Sequence, residues 1–382
     1  MIRGFSGWLG FASRMALSSL GLSGVLLFSQ TQQPTLQGTV ERIKVHGKSL
    51  EGNLEGDSPD RDIAVYLPPS YSASSNRRYP VVYLLHGYTN DTDHWFGFKP
   101  SFVNVRAAAD QALSNGTSKE MILVMPNGYT VYEGNYYTNS VTTGNWETYI
   151  TEELVSYIDG HYRTLATPAS RGLAGHSSGG YGTIRIAMKH PEIFSSIYVL
   201  SPCCMTAGLS PKSLAESEAI HNMEEFSKAG FGPKSNFALA ASLSPNPKNP
   251  PYFFDLPTKN GEVQPDIEAK WAASAPLAMI DQYIPNLRKL HAIAFDAGSK
   301  DTSIAATVKT LDQILTQYNV AHGFEIYDGD HRNRISERME KKALPFFSNN
   351  LDFGGHAGHQ ASDRFQHLPT KSRDAEGTIF GQ

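Results

Sequence analysis

Cysteine is almost absent from this chain: Cys203 and Cys204 are the two in 382 residues, and they are neighbours. A bridge between adjacent residues is strained, so a disulfide framework is excluded and both read as small core residues at a strand end. Charge of one sign is also lacking. Lys and Arg number 33 against 37 Asp and Glu, a net charge of −4, which gives no basic footprint for nucleic acid. Long apolar runs are missing too. The run from Met15 to Phe28 is shorter than the roughly 18–20 residues of a bilayer span, so no stable membrane span is expected. What the sequence does have is an ordinary globular balance, 40% hydrophobic and 18% charged, with length enough for one large core.

Arg3 and Arg14 precede or flank that apolar run, and the first acid of the chain is Glu41. A basic start followed by a short apolar stretch is the pattern of a secretory leader. Residues 1–34 are therefore expected to be a signal or leader and the protein to be secreted or periplasmic. At the other end, residues 350–382 lose all periodicity. His356, His359 and His367 occur there at irregular spacing, which fits a disordered polar tail rather than a metal site.

Between these ends, residues 35–349 alternate strand-like and helix-like segments. Thr39–Val45 and Asp62–Leu67 read as early antiparallel strands. Val81–Leu85, Met121–Val124, Arg171–Ala174, Ser196–Leu200, His291–Phe295 and Phe324–Tyr327 read as buried strands. Helical periodicity marks Asn104–Leu113, Trp146–His161, Tyr181–Lys189, Ser303–Tyr318 and Ile335–Phe347. Such alternation predicts an α/β fold, a mostly parallel central sheet with helices on both faces. Tyr129–Gly144, rich in Tyr, Asn and Gly, reads as a surface loop on the site rim. Residues 203–279 break the rhythm and read as an insertion or lid, with short helices near Ser213–Ser227 and Ile267–Ala273.

The motif that organises the rest is Gly175-His176-Ser177-Ser178-Gly179. A Gly-x-Ser-x-Gly turn between a strand and a helix is the nucleophile elbow of an α/β-hydrolase. Its glycines are needed where the turn presses two backbones together. A serine hydroxyl attacks only when a base takes its proton and an acid orients that base. In this fold the chain order is Ser, then acid, then His, each following a strand. Asp296 and Asp301 both follow the strand at 291–295. Asp301 lies beyond Gly298, where a loop can turn back, and is the favoured acid; its competing role is a helix N-cap. His331 follows the last strand and is the expected base. Two N–H donors must face the developing oxyanion. The Ser178 amide is one, and the Tyr88 amide, in the His86-Gly87 turn after a buried strand, is the other. Trp95, Tyr136, Tyr137 and Trp146 fall in segments expected to reach the rim, where their rings either stack on an aromatic acyl group or a sugar or serve local packing.

Tyr83-Leu84-Leu85-His86-Gly87, the segment 175–182, the loop Gly298–Asp301 and Gly329-Asp330-His331 together resemble the esterase D group of α/β-hydrolases. That group includes feruloyl and acetyl xylan esterases, S-formylglutathione hydrolases, siderophore esterases and mycolyltransferases. The resemblance spans roughly Val40 to Asn349. It implies Ser177 as nucleophile, Asp301 as acid, His331 as base, and no cofactor or metal. Ser178 stands where the group often has Met. The expected activity is a serine esterase acting through an acyl-enzyme on a feruloyl or acetyl ester linked to carbohydrate. An acyltransferase, or a siderophore or thioester hydrolase, remains open on the same triad. A non-catalytic binding protein would have lost a triad member.

Overall fold

The computed structural model describes residues 37–208 and 210–354. The expected leader and all but the first residues of the expected tail lie outside the described residues. Eight strands form one sheet: β1 Thr39–His46, β2 Asp60–Leu67, β3 Val81–Leu85, β4 Ile122–Pro126, β5 Arg171–His176, β6 Ser196–Leu200, β7 Ala292–Gly298 and β8 Gly323–Tyr327. Their order is β1-β2-β4-β3-β5-β6-β7-β8. Strand β2 pairs antiparallel with both neighbours, and every pairing from β4 to β8 is parallel.

The central strands are apolar along their whole length because both faces are covered. Alternate residues go to opposite sides. Val81, Tyr83, Leu85, Leu173, Ile197, Val199 and Phe295 pack on one face. They meet α2 (146–161), α3 (Ser178–Lys189), α8 (Pro276–Leu287) and α9 (Thr302–Gln317). Val82, Leu84, Leu123, Ala174, Tyr198 and Leu200 pack on the other, against α1 (Val105–Ser114) and α10 (335–350). Both α2 and α10 carry a wider π turn, over Tyr149–Leu154 and Met339–Ala343.

The insertion folds as α4 (Pro211–Glu218), α5 (Met223–Lys228), α6 (Phe231–Leu243) and α7 (Pro265–Ser274). It has its own apolar cluster around Phe226, Phe237, Phe254 and Trp271. Two boundaries differ from the sequence reading. Helix α8 puts Met279, Ile280 and Ile284 into the sheet core, so the insertion ends near residue 274. The tail begins later than 350, since Leu351 is buried and the Asp352 N–H donates to the Ala169 carbonyl.

The segment 129–144 is not a surface loop. Tyr132, Tyr136, Tyr137, Thr138, Ser140, Thr142 and Thr143 are buried between sheet and insertion. Its hydroxyls do the joining: Thr138 donates to the Ser242 carbonyl (2.9 Å), Ser140 to Ala241 (2.5 Å) and Thr142 to Phe253 (2.5 Å). Two of these acceptors belong to the last turn of α6, where helix carbonyls lack intrahelical partners.

The sequence read β7 as ending at Phe295, yet it continues through Asp296 to Gly298. Asp296 is fully buried. Its carboxylate accepts from Arg338 Nε (2.9 Å) and from the Tyr198 hydroxyl (2.8 Å), and Arg338 also reaches Glu325 (2.9 Å). Arg338 thereby ties α10 to β6, β7 and β8. Removing one partner of such a pair leaves the other charge buried. Arg338→Met should therefore lower stability by about 3–5 kcal/mol, read as a fall in the denaturant midpoint at unchanged m-value.

Candidate active site

Tyr88, Ser177, Ser178, Asp301 and His331 follow the carboxyl ends of β3, β5, β7 and β8, where open α/β sheets build their sites. The turn after β5 sets the geometry. Ser177 has φ +58° and ψ −118°, a conformation few L-residues adopt. It persists because backbones close in on both sides. A Cβ on Gly175 would meet the Gly179 carbonyl oxygen at 2.2 Å, and one on Gly179 would meet the Leu85 oxygen at 2.0 Å. Only glycine fits either position.

Ser177, Asp301 and His331 come together. His331 Nε2 is 3.0 Å from Ser177 Oγ, and its Nδ1 is 2.5 Å from Asp301 Oδ2. Facing a carboxylate, Nδ1 carries the proton and donates, which leaves the Nε2 lone pair to accept from the serine hydroxyl. Asp301 occupies the N-cap position of α9, yet its side chain accepts no capping bond there. The carboxylate turns to the histidine instead. The two loops are joined by backbone bonds: Ser299 N–H donates to the Tyr327 carbonyl and Lys300 N–H to that of Gly329. Asp330 accepts from the Arg332 and Asn333 amides (both 2.8 Å), closing the turn that holds His331. Asp296 faces away, bound to Arg338.

The Tyr88 and Ser178 amides donate to no other group among the described residues. Ser178 opens α3, where first-turn N–H groups have no intrahelical acceptor. Both amides are thus open to an incoming oxygen. Cys203 and Cys204 follow β6; both are half-buried, both free, with sulfurs 2.9 Å apart. The Cys203 N–H donates to the Ser177 carbonyl. The Cys204 thiol beside it, together with burial, pushes the Cys203 thiol well up, so it remains a thiol. A cavity of about 200 Å³ opens beside Cys204, walled by Tyr181, Met205, Leu239, Leu243, Trp271 and Ile304 among others.

The aromatic residues expected on the rim are interior. Trp95, Tyr136 and Trp146 are 0%, 1% and 1% exposed. Trp95 packs beneath β3 and against His176. Trp146 donates to the Thr143 carbonyl and lies under Arg61. Tyr136 bonds Ser235 and meets Tyr181 edge-on. Tyr137, also buried, donates to the His86 carbonyl. Each braces the site's walls, and none offers a free ring face.

Two buried histidines carry positioning roles that the sequence reading did not assign. His176 is held between Trp95, Phe102 and His331, and its Nε2 lies 2.8 Å from the His331 carbonyl. Burial, and the His331 ring next to it, lower its pKa to about 3. It is therefore neutral, protonated on Nε2, and anchors the backbone of the residue that contacts Ser177. His86 is its counterpart under the Tyr88 turn. The Gly128 N–H donates to His86 Nε2 (2.8 Å), so Nδ1 carries the proton and faces the Gly87 carbonyl (2.9 Å). Burial lowers its pKa to about 4.

With this geometry in view, residues 58–338 match the model of the Esterase family. Among curated proteins, the chain is similar to esterase MT1326 of Mycobacterium tuberculosis strain CDC 1551, 34% identical over 136 residues, covering 35% of this chain and 27% of that protein. It is also similar to an endo-1,4-beta-xylanase/feruloyl esterase of Xylanibacter ruminicola, 29% identical over 178 residues, covering 45% and 22%. The matched part spans about a quarter of the length of these relatives. Among solved structures, a ferulic acid esterase superposes with a TM-score of 0.58 at 21% identity, covering 83% of this chain and all of that one. The S-formylglutathione hydrolase FrmB of Staphylococcus aureus superposes with a TM-score of 0.51 at 16% identity, covering 83% and 99%. These likenesses show the α/β-hydrolase fold.

The depressed histidines make stability depend on acid. Below the unfolded pKa of about 6.5 the unfolded chain takes up a proton that native His176 refuses until about pH 3. Stability from this group is complete above about pH 6.5 and drains as pH falls, by up to about 1.4 kcal/mol per unit. In His176→Asn, which keeps a donor for the His331 carbonyl, the slope of unfolding free energy between about pH 4 and 6 should flatten by about one proton. Denaturant melts across that range measure it; equal slopes would exclude a neutral native His176.

Proposed function

We propose that this chain, which belongs to the Esterase family, hydrolyses carboxylic esters through an acyl-enzyme on Ser177. The observation that carries the reading is the unbroken relay from Ser177 Oγ to His331 and Asp301. Ser177 Oγ attacks the ester carbonyl while His331 Nε2 takes its proton. Asp301 holds the imidazolium by accepting from Nδ1. The carbonyl oxygen, now negative, accepts from the Tyr88 and Ser178 amides. Collapse breaks the bond to the alcohol, which leaves with the proton from His331. Water, deprotonated by the same nitrogen, then attacks the acyl-enzyme and restores Ser177. Nothing in this sequence of steps needs a metal or cofactor.

For the substrate, the reading is a feruloyl or acetyl ester carried by carbohydrate. Its support is the name of the Xylanibacter relative and the fold shared with a ferulic acid esterase. The apolar cavity beside Cys204 is the proposed seat of the acyl group, with Leu239, Leu243 and Trp271 contributed by the insertion. A polymer-linked substrate also suits the export read from Met15–Phe28.

Ser177→Ala should lower turnover by roughly 10⁴–10⁶-fold, and a fluorophosphonate probe should label Ser177 in the wild type. Chromogenic feruloyl, acetyl and long-chain esters, assayed with and without an acceptor alcohol, distinguish hydrolysis from transfer and rank the acyl groups. Labelling at another residue would defeat the reading. Asp301→Asn should lower turnover by roughly 10⁴-fold with the fold retained. Asp296→Asn should instead lose stability while its folded fraction keeps near-normal turnover. The opposite pattern would make Asp296 the acid.

A further inference from the structure

Helix α3 carries, two turns beyond the serine, a cation that folding leaves without a counter-charge. Arg185 is 8% exposed. Its Nη1 donates to two neutral oxygens, the Tyr181 hydroxyl (2.9 Å) and the Ser274 carbonyl (3.2 Å). Its Nε is buried with no acceptor. The other buried arginines are served differently. Arg338 has Asp296 and Glu325 and Arg171 has Asp159, while Arg61, also without an ion-pair partner, has carbonyl acceptors from Ser58, Asn127 and Tyr129 for all three of its nitrogens. Among the described residues no carboxylate forms an ion pair with Arg185. An isolated buried charge is costly, and natural chains rarely leave one unmatched.

The guanidinium does not sit in solid packing. It lines a polar cavity of about 320 Å³ between the hydrolase core and the insertion. Lys189 enters from α3, Lys270 and Ser274 from α7, Ser242 from α6, and Thr138 and Asn139 from the segment before α2. Glu147 is on the wall as well, bonded to Lys189 (2.6 Å) and His190 (3.0 Å). Counting the three cations Arg185, Lys189 and Lys270 against Glu147, the lining keeps an excess of two positive charges. Such a wall is rich in charged donors and poor in free acceptors. Its chemical complement is an oxyanion, which accepts from guanidinium and ammonium groups together.

The geometry points to a binding site for a small oxyanion, carboxylate, phosphate or sulfate, in this cavity and separate from Ser177. A bound anion would neutralise Arg185 and bridge α3 of the core to α6 and α7 of the insertion, beside Leu243, which also walls the cavity near Cys204. Binding here involves no ester chemistry and stands whether or not Ser177 is the nucleophile.

The test titrates the full chain with inorganic phosphate, sulfate and acetate, each against chloride at matched ionic strength, by calorimetry and by thermal melting. The expected result is saturable binding with a rise in Tm that chloride does not give. Preference for phosphate and sulfate identifies a tetrahedral ligand, and preference for acetate a carboxylate. Lys270 is exposed, so Lys270→Ala should fold normally and weaken binding about tenfold, as for one lost charge-assisted contact. Arg185→Gln should abolish it, but that change can itself alter stability, so Lys270→Ala is the deciding variant. An unchanged dissociation constant in Lys270→Ala, or no saturable binding of any of the three anions, overturns the site.

Discussion

The close passage of β3, β5 and the start of α3 is the constraint from which the site follows. With no side chain on Gly175 or Gly179, the Leu85 carbonyl and the Gly179 backbone reach distances that any Cβ would forbid. That contact holds Ser177 at positive φ. It lifts the hydroxyl clear of the sheet and points the Ser178 N–H outward at the head of a helix. It also brings the turn carrying Tyr88 to the same spot. The strain stored at one residue, of order 1–3 kcal/mol, is over-determined by the packing of three central elements.

Around that point, two of the loops are held by neutral buried histidines. His86 and His176 are both buried and both uncharged, each with one ring nitrogen on a backbone group of a site loop. A charged residue in either place would need a counter-ion in the floor of the site. Asp301 faces His331, while the buried carboxylate of Asp296 is held by Arg338.

Much of this was legible in the sequence, for identifiable reasons. The central strands are continuous apolar runs, so their places in the chain could be read, and the site residues follow them. Val81–Leu85 and Ser196–Leu200 match to the residue. What was not legible depends on distant partners. Asp296 looked like the end of a strand because a carboxylate seldom lies inside one; its partner Arg338 is 42 residues away. The segment 129–144 looked exposed because it is polar, but its polar atoms are spent on the insertion's backbone. Helix α6, with the run Phe237-Ala238-Leu239-Ala240-Ala241 buried, has no polar face and so no helical period to detect. The rim aromatics failed for the same reason: Trp95, Tyr136 and Trp146 are filled in from all sides by elements far away in the chain.

The hydroxyl contacts from 138–142 have a consequence for how this protein can change over generations. They grip main-chain carbonyls of Ala241, Ser242 and Phe253, groups that every amino acid possesses. Side chains of the insertion can therefore be exchanged without loosening these attachments to the core. Leu243, which faces the cavity beside Cys204, takes no part in them. Anchorage is written in the insertion's main chain, and its side chains can diversify while that anchorage stands still.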